Sequence, residues 1–205
     1  MGNSAQATDA DAFAFGNTSQ AKGSSSIAMG KTAEASKENA IALGGLSKAK
    51  DVNAIAIGGK AEASKEGTMA IGTGAKADSI SAVAIGIESE VTGENSMAIG
   101  AKAVAETKNS LALGAGTEIR GTLVNTYSAF TNEMNPAASG VVAVANVGTE
   151  RRIINVAGGQ NDTDAANVKQ LRYVNNNLAQ TIAGSTYTGY EANGSTYKAP
   201  DFDIK

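Results

Sequence analysis

The sequence predicts a mostly β protein: a parallel β-roll solenoid of fourteen-residue coils, followed by a short coiled-coil helix. Three observations carry this. Glycine recurs every fourteenth residue from Gly2 through Gly16, Gly30, Gly44, Gly58, Gly72, Gly86 and Gly100 to Gly114, with no slip in register. Eight of the nine close one signature, large apolar, Ala, large apolar, Gly, from Phe13-Ala14-Phe15-Gly16 to Leu111-Ala112-Leu113-Gly114. Past the repeat, Val168, Leu171, Leu178 and Ile182 are spaced as a coiled-coil seam. Fourteen residues are too few for a helix pair or a βαβ unit, but they suffice for two strands of about five residues and two tight turns. A repeat this strict makes each unit one coil of a stack, not a separate domain.

The first strand of each coil follows the glycine. Small or apolar residues stand five positions after it (Ala21, Ala35, Ala49, Ala63, Ala77, Val91, Ala105, Ile119) and three after it (Ser19, Ala33, Ser47, Ala61, Ala75, Ser89, Ala103, Thr117). Between them lie Gln20, Glu34, Lys48, Glu62, Lys76, Glu90, Val104 and Glu118. This period of two turns the polar set to water and the small set inward.

The signature strand alternates with its sizes reversed. Its Ala faces the small set across a thin interior, so the two large residues point outward. The resulting stripe includes Ile41, Leu43, Ile55, Ile57, Met69, Ile71, Val83, Ile85, Met97, Ile99, Leu111 and Leu113. So long an apolar face exceeds what soluble monomers expose, and burying each such side chain contributes about 1.5–3 kcal/mol. Copies of the same chain are the expected cover, with folding and oligomerisation a single event.

Turns close the coil. Asp11, Ser25, Asn39, Asn53, Gly67, Ser81, Asn95 and Asn109 stand two residues before the signature and are turn formers, and the repeat glycine supplies the other corner. At about 4.8 Å per coil, nine coils make a rod of roughly 40 Å.

After Arg120 the period breaks. Residues 121–139 read as an insertion holding Tyr127, Phe130 and an Asn135-Pro136 turn. It is either a loop packed on the rod or a ligand-contact element, with Tyr127 and Phe130 as junction plugs or binding anchors. Val142-Ala143-Val144-Ala145 then reads as a degenerate last coil, with Ala145 in the glycine position, ending a first domain at 1–145. Residues 146–171 form a second segment. A helix is expected over 164–184, with Thr163 or Asp164 as N-cap, Val168, Asn175 and Ile182 at a, and Leu171 and Leu178 at d. Asn175 at an a position either fixes register at a stability cost or holds an anion on the axis. Residues 185–205, with Asn193-Gly194 as a hairpin-type turn, read as the start of a further β element.

Composition narrows the function. The 205-residue chain carries a net charge of −3 with no basic cluster, so nothing argues for nucleic acid. Cys is absent, which excludes disulfides and thiolate metal sites, and no cofactor is implied. His is absent too, removing the usual general base, Ser-His-Asp triads and the hexapeptide acyltransferases. Converging acid and base groups are lacking, so an enzyme is not expected. Flat Thr ladders of an ice-binding solenoid are also missing. No apolar run approaches a membrane span, no signal peptide is read, and the chain opens inside a repeat and stops at Lys205. A fragment of a longer protein is therefore expected.

The chain resembles the trimeric autotransporter adhesins of Gram-negative bacteria, specifically a YadA-like head and neck. The head resemblance rests on the repeat, with Asn95-Ser96-Met97-Ala98-Ile99-Gly100 and Asn109-Ser110-Leu111-Ala112-Leu113-Gly114. The neck resemblance rests on Glu150-Arg151-Arg152-Ile153-Ile154-Asn155-Val156-Ala157 with Thr163-Asp164-Ala165-Ala166-Asn167-Val168-Lys169-Gln170-Leu171. Phe13 and Phe15 are bulkier than usual, and Arg152 stands where the neck often has Gln. The resemblance implies a homotrimer of left-handed β-rolls, a neck narrowing onto a three-stranded coiled coil, and attachment to a host extracellular matrix protein or receptor glycoprotein. It also implies a bacterial cell-surface location with an outer-membrane anchor that this fragment lacks. Glu150, Arg151 and Arg152 are expected to staple the neck, at least one arginine crossing to a carboxylate or carbonyl of a neighbouring chain, with Glu150 and Asp162 as acidic partners. The alternative function is a structural spacer that displays another binding domain.

Overall fold

A computed structural model describes residues 2–121 and 139–183. The chain divides into two compact units, Met1–Arg151 and Arg152–Lys205. The first contains two parallel nine-stranded sheets. One is built from two-residue strands, Gln6–Ala7 through Glu118–Ile119, and the other from the signature strands, Phe13–Phe15 through Leu111–Leu113, with Val142–Ala143 added at the end. Neighbours pair fourteen residues apart, as in Met69↔Val83, Ala70↔Ala84 and Ile71↔Ile85. The fourteen-residue solenoid is thus observed. Its strands, however, are two and three residues long, not five, because the corners consume the rest of each coil.

Two sets of corner residues explain this. The turn formers before the signature all take the left-handed conformation, from Asn95 at φ 54° to Gly67 at 64°. A second left-handed set, unanticipated from sequence, stands two residues after each glycine and includes Thr32, Leu46, Lys60 and Gly74. For a non-glycine residue that conformation costs about 1–2 kcal/mol, so Thr32 and Leu46 are held there by the surrounding ladder. The repeat glycines from Gly16 to Gly114 lie at φ 125–144°, which side chains rarely adopt. They also sit against the next coil: a Cβ on Gly72 would fall 2.3 Å from the carbonyl oxygen of Gly86.

The interior is built mostly of alanine, with buried serines and threonines among it. Every signature alanine and every facing small residue is buried, Val91 being the largest side chain with no exposure. Small side chains let the two sheets lie close together, and this is why the large ones are turned out. Interior hydroxyls find local acceptors: Ser19, Ser47 and Ser89 donate to the carbonyls of Gly16, Gly44 and Gly86 at 3.0, 2.8 and 2.9 Å. In the outward polar column, Val104 departs from the expected exposure and is buried.

The last strand joins the ladder out of the fourteen-residue period. Leu111 pairs with Val142 and Ala112 with Ala143, thirty-one residues apart. Pairing stops at Ala143 and does not continue to Ala145, which lacks the backbone freedom that glycine gives this corner. Residues 122–138, with Tyr127 and Phe130, lie outside the described residues, as does the β element expected over 185–205.

In the second unit the helix α1 spans Val168–Ala183, which corrects the expected start at 164. The N-cap is Asn167, not Thr163 or Asp164. Asn167 Oδ1 accepts from the Gln170 N–H at 3.0 Å, and Gln170 Oε1 accepts from the Asn167 N–H at 3.1 Å, a reciprocal capping box. Asp164 is engaged one turn earlier, where its carboxylate accepts from the N–H groups of Gln160 and Asn161, both at 2.9 Å. Those bonds hold its carboxyl below the ordinary carboxylate value.

Candidate functional site: two ladders, a closed end and a clasped neck

Identical coils stacked in register turn each repeat position into a column of side chains one strand spacing apart. The outward residues of the signature strands therefore form two continuous apolar columns. Phe13 and Phe15 are 50% and 52% exposed, Met29 and Leu113 43% each, and Ile41, Ile55, Ile57, Ile71, Val83 and Ile85 are half-buried. Their cover comes from the neighbours above and below in the column, leaving the outer surface of each open. All twelve head residues expected to face a partner chain stand on this face.

The opposite sheet carries a different column, Gln20, Glu34, Lys48, Glu62, Lys76 and Glu90, paired in register in that order. Its charges alternate in sign. Lys22 adds an ion pair to Glu34 at 2.8 Å, and Lys50 pairs with Glu62. The hydrogen bonds from these lysines hold both glutamates below the ordinary 4.5. Exposed pairs of this kind contribute about 0–1 kcal/mol each. With Lys22 and Lys50 the column is close to electrically compensated, and it has little net charge with which to attract a polyion.

At the far end of the roll the backbone of the last regular coil meets side chains. Asn146 Oδ1 accepts from the Glu118 N–H at 2.7 Å, and its Nδ2 donates to the Gly116 carbonyl at 2.8 Å. The Arg151 guanidinium donates from Nη2 to the Ala115 carbonyl at 2.8 Å, and from Nη1 to Thr117 Oγ1 at 3.0 Å and to the Val144 carbonyl. Of the residues expected to staple the neck, Arg151 thus bonds to carbonyls of its own chain. Glu150 is not ion-paired to it. The Glu150 carboxylate accepts from the Gly148 N–H at 2.7 Å, and this bond lowers its pKa. Arg152 and Asp162 are exposed and form no ion pair with each other.

The neck is closed by amide chemistry. The Gln170 side chain pairs with the peptide groups of Gly159, accepting from its N–H at 2.9 Å and donating to its carbonyl at 2.8 Å, while Asn167 Nδ2 donates to the Val156 carbonyl at 3.0 Å. Together they tie residues 156–159 to the first turn of α1. Next to this clasp is an open cavity of about 540 Å³ lined in part by Ile153, Val156, Ala166 and Val168. Ile153 and Ile154 are 70% and 63% exposed. The seam residues Val168, Leu171 and Leu178 are exposed as well, joined by Tyr173 and Val174, which the heptad reading had passed over. Asn175 is exposed, and Ile182 lies within α1. Among the described residues no helix is long and apolar enough to cross a membrane.

Sequence reasoning missed Asn146 and Gln170. The only available signals were the position of Asn146 directly after the broken coil and the Asn167-x-x-Gln170 spacing.

Comparison with known proteins gives two family matches. Copies of the YadA head domain repeat match residues 1–19, 10–33, 21–47, 35–61, 63–89 and 92–117, and the coiled stalk of trimeric autotransporter adhesin matches residues 152–194. Among solved structures, the chain is similar to the collagen-binding domain of the Yersinia adhesin YadA, at 27% identity and a TM-score of 0.52, over 80% of this chain and 85% of that one. No curated protein sequence matches significantly. With signature, stacked coils and neck all accounted for by these matches, the chain belongs to the YadA-like trimeric autotransporter adhesins, as a head-and-neck portion that runs into the stalk.

Proposed function

We propose that the chain is the head and neck of a homotrimeric adhesin, displayed at the bacterial surface and anchored in the outer membrane through parts outside this sequence. There it attaches the cell to host extracellular matrix or to a cell-surface glycoprotein. The carrying observation is the pair of apolar columns, half-exposed along the whole roll; within the second unit Ile153, Ile154, Val168 and Leu171 are exposed as well. Three chains packed through that face would leave the compensated charge columns and the coil corners outward, a rigid surface repeated three times. Repetition supplies avidity, so weak single contacts suffice. A repetitive, extended ligand suits such a surface, and the similar Yersinia domain is described as collagen-binding, which makes collagen the first ligand to assay.

Light scattering on the purified fragment tests the assembly. A single species of three chains is expected, and a stable folded monomer of 20.5 kDa would overturn it. Solid-phase binding to collagen, fibronectin and laminin tests the attachment. Binding to none of them, nor to host cells, by an intact trimer would favour the spacer function. Tyr127→Ala with Phe130→Ala separates the two roles of the insertion. Lost binding at unchanged melting temperature marks a contact, whereas a lower melting temperature with binding retained marks a structural plug.

A further inference from the structure

We infer that Asn146 and Arg151 form a terminator for the solenoid, in which two side chains take the places that the backbone of one more coil would occupy. The bonds made between ordinary coils define what is replaced. The N–H four residues after each glycine donates to a carbonyl of the following coil, as Glu90 does to Ala103 at 2.9 Å. In the last coil the equivalent N–H, that of Glu118, donates to Asn146 Oδ1 instead. The carbonyl one residue after each glycine accepts an N–H from the following coil, as that of Ala101 does from Gly116 at 2.9 Å. In the last coil that carbonyl, on Ala115, accepts from Arg151 Nη2. Sterics give the same answer. A Cβ on Gly72, Gly86 or Gly100 would collide with the next glycine's carbonyl group, whereas one on Gly114 would meet Arg151 Nη1 at 2.8 Å and Cζ at 3.0 Å. The guanidinium thus fills the space of the missing peptide. It also reaches Thr117 Oγ1, on a residue with no exposure.

The physical need is clear. An unfinished parallel sheet presents free N–H and C=O groups to any strand that arrives, and unpaired polar groups at its rim let the last coil fray. A neutral amide supplies both donors and an acceptor, and a guanidinium supplies donors alone, so together they match the mixed set of groups at this rim. The two neck arginines therefore have separate duties. Arg151 closes its own roll, while Arg152, with no hydrogen-bond or ion-pair partner among the described residues, is left for a neighbouring chain; that last point rests on the trimer proposed above, and the terminator does not.

Amide hydrogen exchange on the full fragment tests this site by site. Asn146→Ala is expected to speed exchange of the Glu118 amide by roughly tenfold or more, with Glu90 in mid-roll unchanged. Asn146→Asp keeps an acceptor and should preserve Glu118 protection, guarding against general misfolding as the cause. Arg151→Ala should raise exchange across residues 114–119, Arg151→Lys less so, and Arg152→Ala should leave that stretch as it was. Unchanged Glu118 exchange in Asn146→Ala, or equal effects of Arg151→Ala and Arg152→Ala, would overturn the terminator. Either result would leave the oligomeric state, and so the proposed function, untouched.

Discussion

Gly72→Ala and Gly74→Ala place the same methyl group two residues apart on one corner, and the structure sets their costs far apart. Gly74 is at φ 70°, and its added Cβ would lie 3.6 Å from Glu88 Cγ, an ordinary contact. The left-handed conformation costs alanine about 1–2 kcal/mol, partly offset by about 0.4–1 kcal/mol from a stiffer unfolded chain. The net destabilisation is about 1 kcal/mol per chain. Gly72 is at φ 136°, and its Cβ would lie 2.3 Å from the Gly86 oxygen, 2.5 Å from its carbonyl carbon and 3.0 Å from the Ile87 nitrogen. All three are backbone atoms of the next coil, so relief requires the coils to part by about an ångström. That stretches the bond from the Gly86 N–H to the Ile71 carbonyl, now 2.8 Å. A forbidden φ at about 1–3 kcal/mol plus one or two weakened bonds at about 0.5–1.5 kcal/mol each brings the loss to about 3–5 kcal/mol per chain. Urea denaturation followed by circular dichroism reads both variants at equal chain concentration. If the two midpoints agree within error, the repeat glycine answers only to turn conformation, and the close approach of coils is not what demands it.

Leu46 sits in the left-handed set at φ 63° and is exposed in the protomer, so Leu46→Asn should stabilise by about 0.5–1 kcal/mol, read as a raised urea midpoint. Ala84→Leu would overpack the thin interior and cost about 1–3 kcal/mol per chain, while Glu90→Gln on the outward column should be near neutral in a thermal melt. Glu34 and Glu62 have folded pKa values below the ordinary 4.5, chiefly through hydrogen bonds from Lys22 and Lys50. Their stabilisation is therefore complete above pH 4.5 and is lost as pH falls through the lower folded values. The melting temperature should drop over that acid window, and the drop should shrink in Glu34→Gln/Glu62→Gln and in high salt.

The head was legible because its physics repeats. One coil's alternation, seen eight times over, leaves a single consistent assignment of inside and outside, and the buried Ala14-to-Ala112 series and the exposed Phe13 and Phe15 agree with it. The corners were half legible. Asn39 and Asn53 announce a left-handed turn, but Thr32 and Leu46 do not, because the in-register ladder imposes a conformation their own preferences oppose. The end of the roll was the least legible part. Arg151 stood out as a paired arginine, yet its partners are carbonyls fourteen-residue logic does not mark, and Asn146 makes its bonds with no motif around it. The helix starts at 168 and not at 164 because Asn167 and Gln170 satisfy each other, a pairwise effect that single-residue cap preference, which admits Asn167, Asp164 and Thr163 alike, does not single out.

Stacked identical coils raise a question of register that the charge column answers. If one coil looped out, the interior would still place alanine on alanine, and the apolar columns would still place isoleucine on isoleucine or methionine. Neither set of contacts opposes the slip. The outward column does, because its sign alternates from Glu34 to Lys48 to Glu62 to Lys76 to Glu90. Removing the coil of Lys48 would bring Glu34 against Glu62 at one strand spacing, and removing that of Glu62 would bring Lys48 against Lys76. At about 5 Å in water-like surroundings two like charges repel by roughly 1 kcal/mol, and two attractive neighbours are lost as well. Exposed ion pairs add little to stability when counted singly. Arranged with alternating sign along a repeat, they distinguish one coil from the next where the rest of the coil cannot.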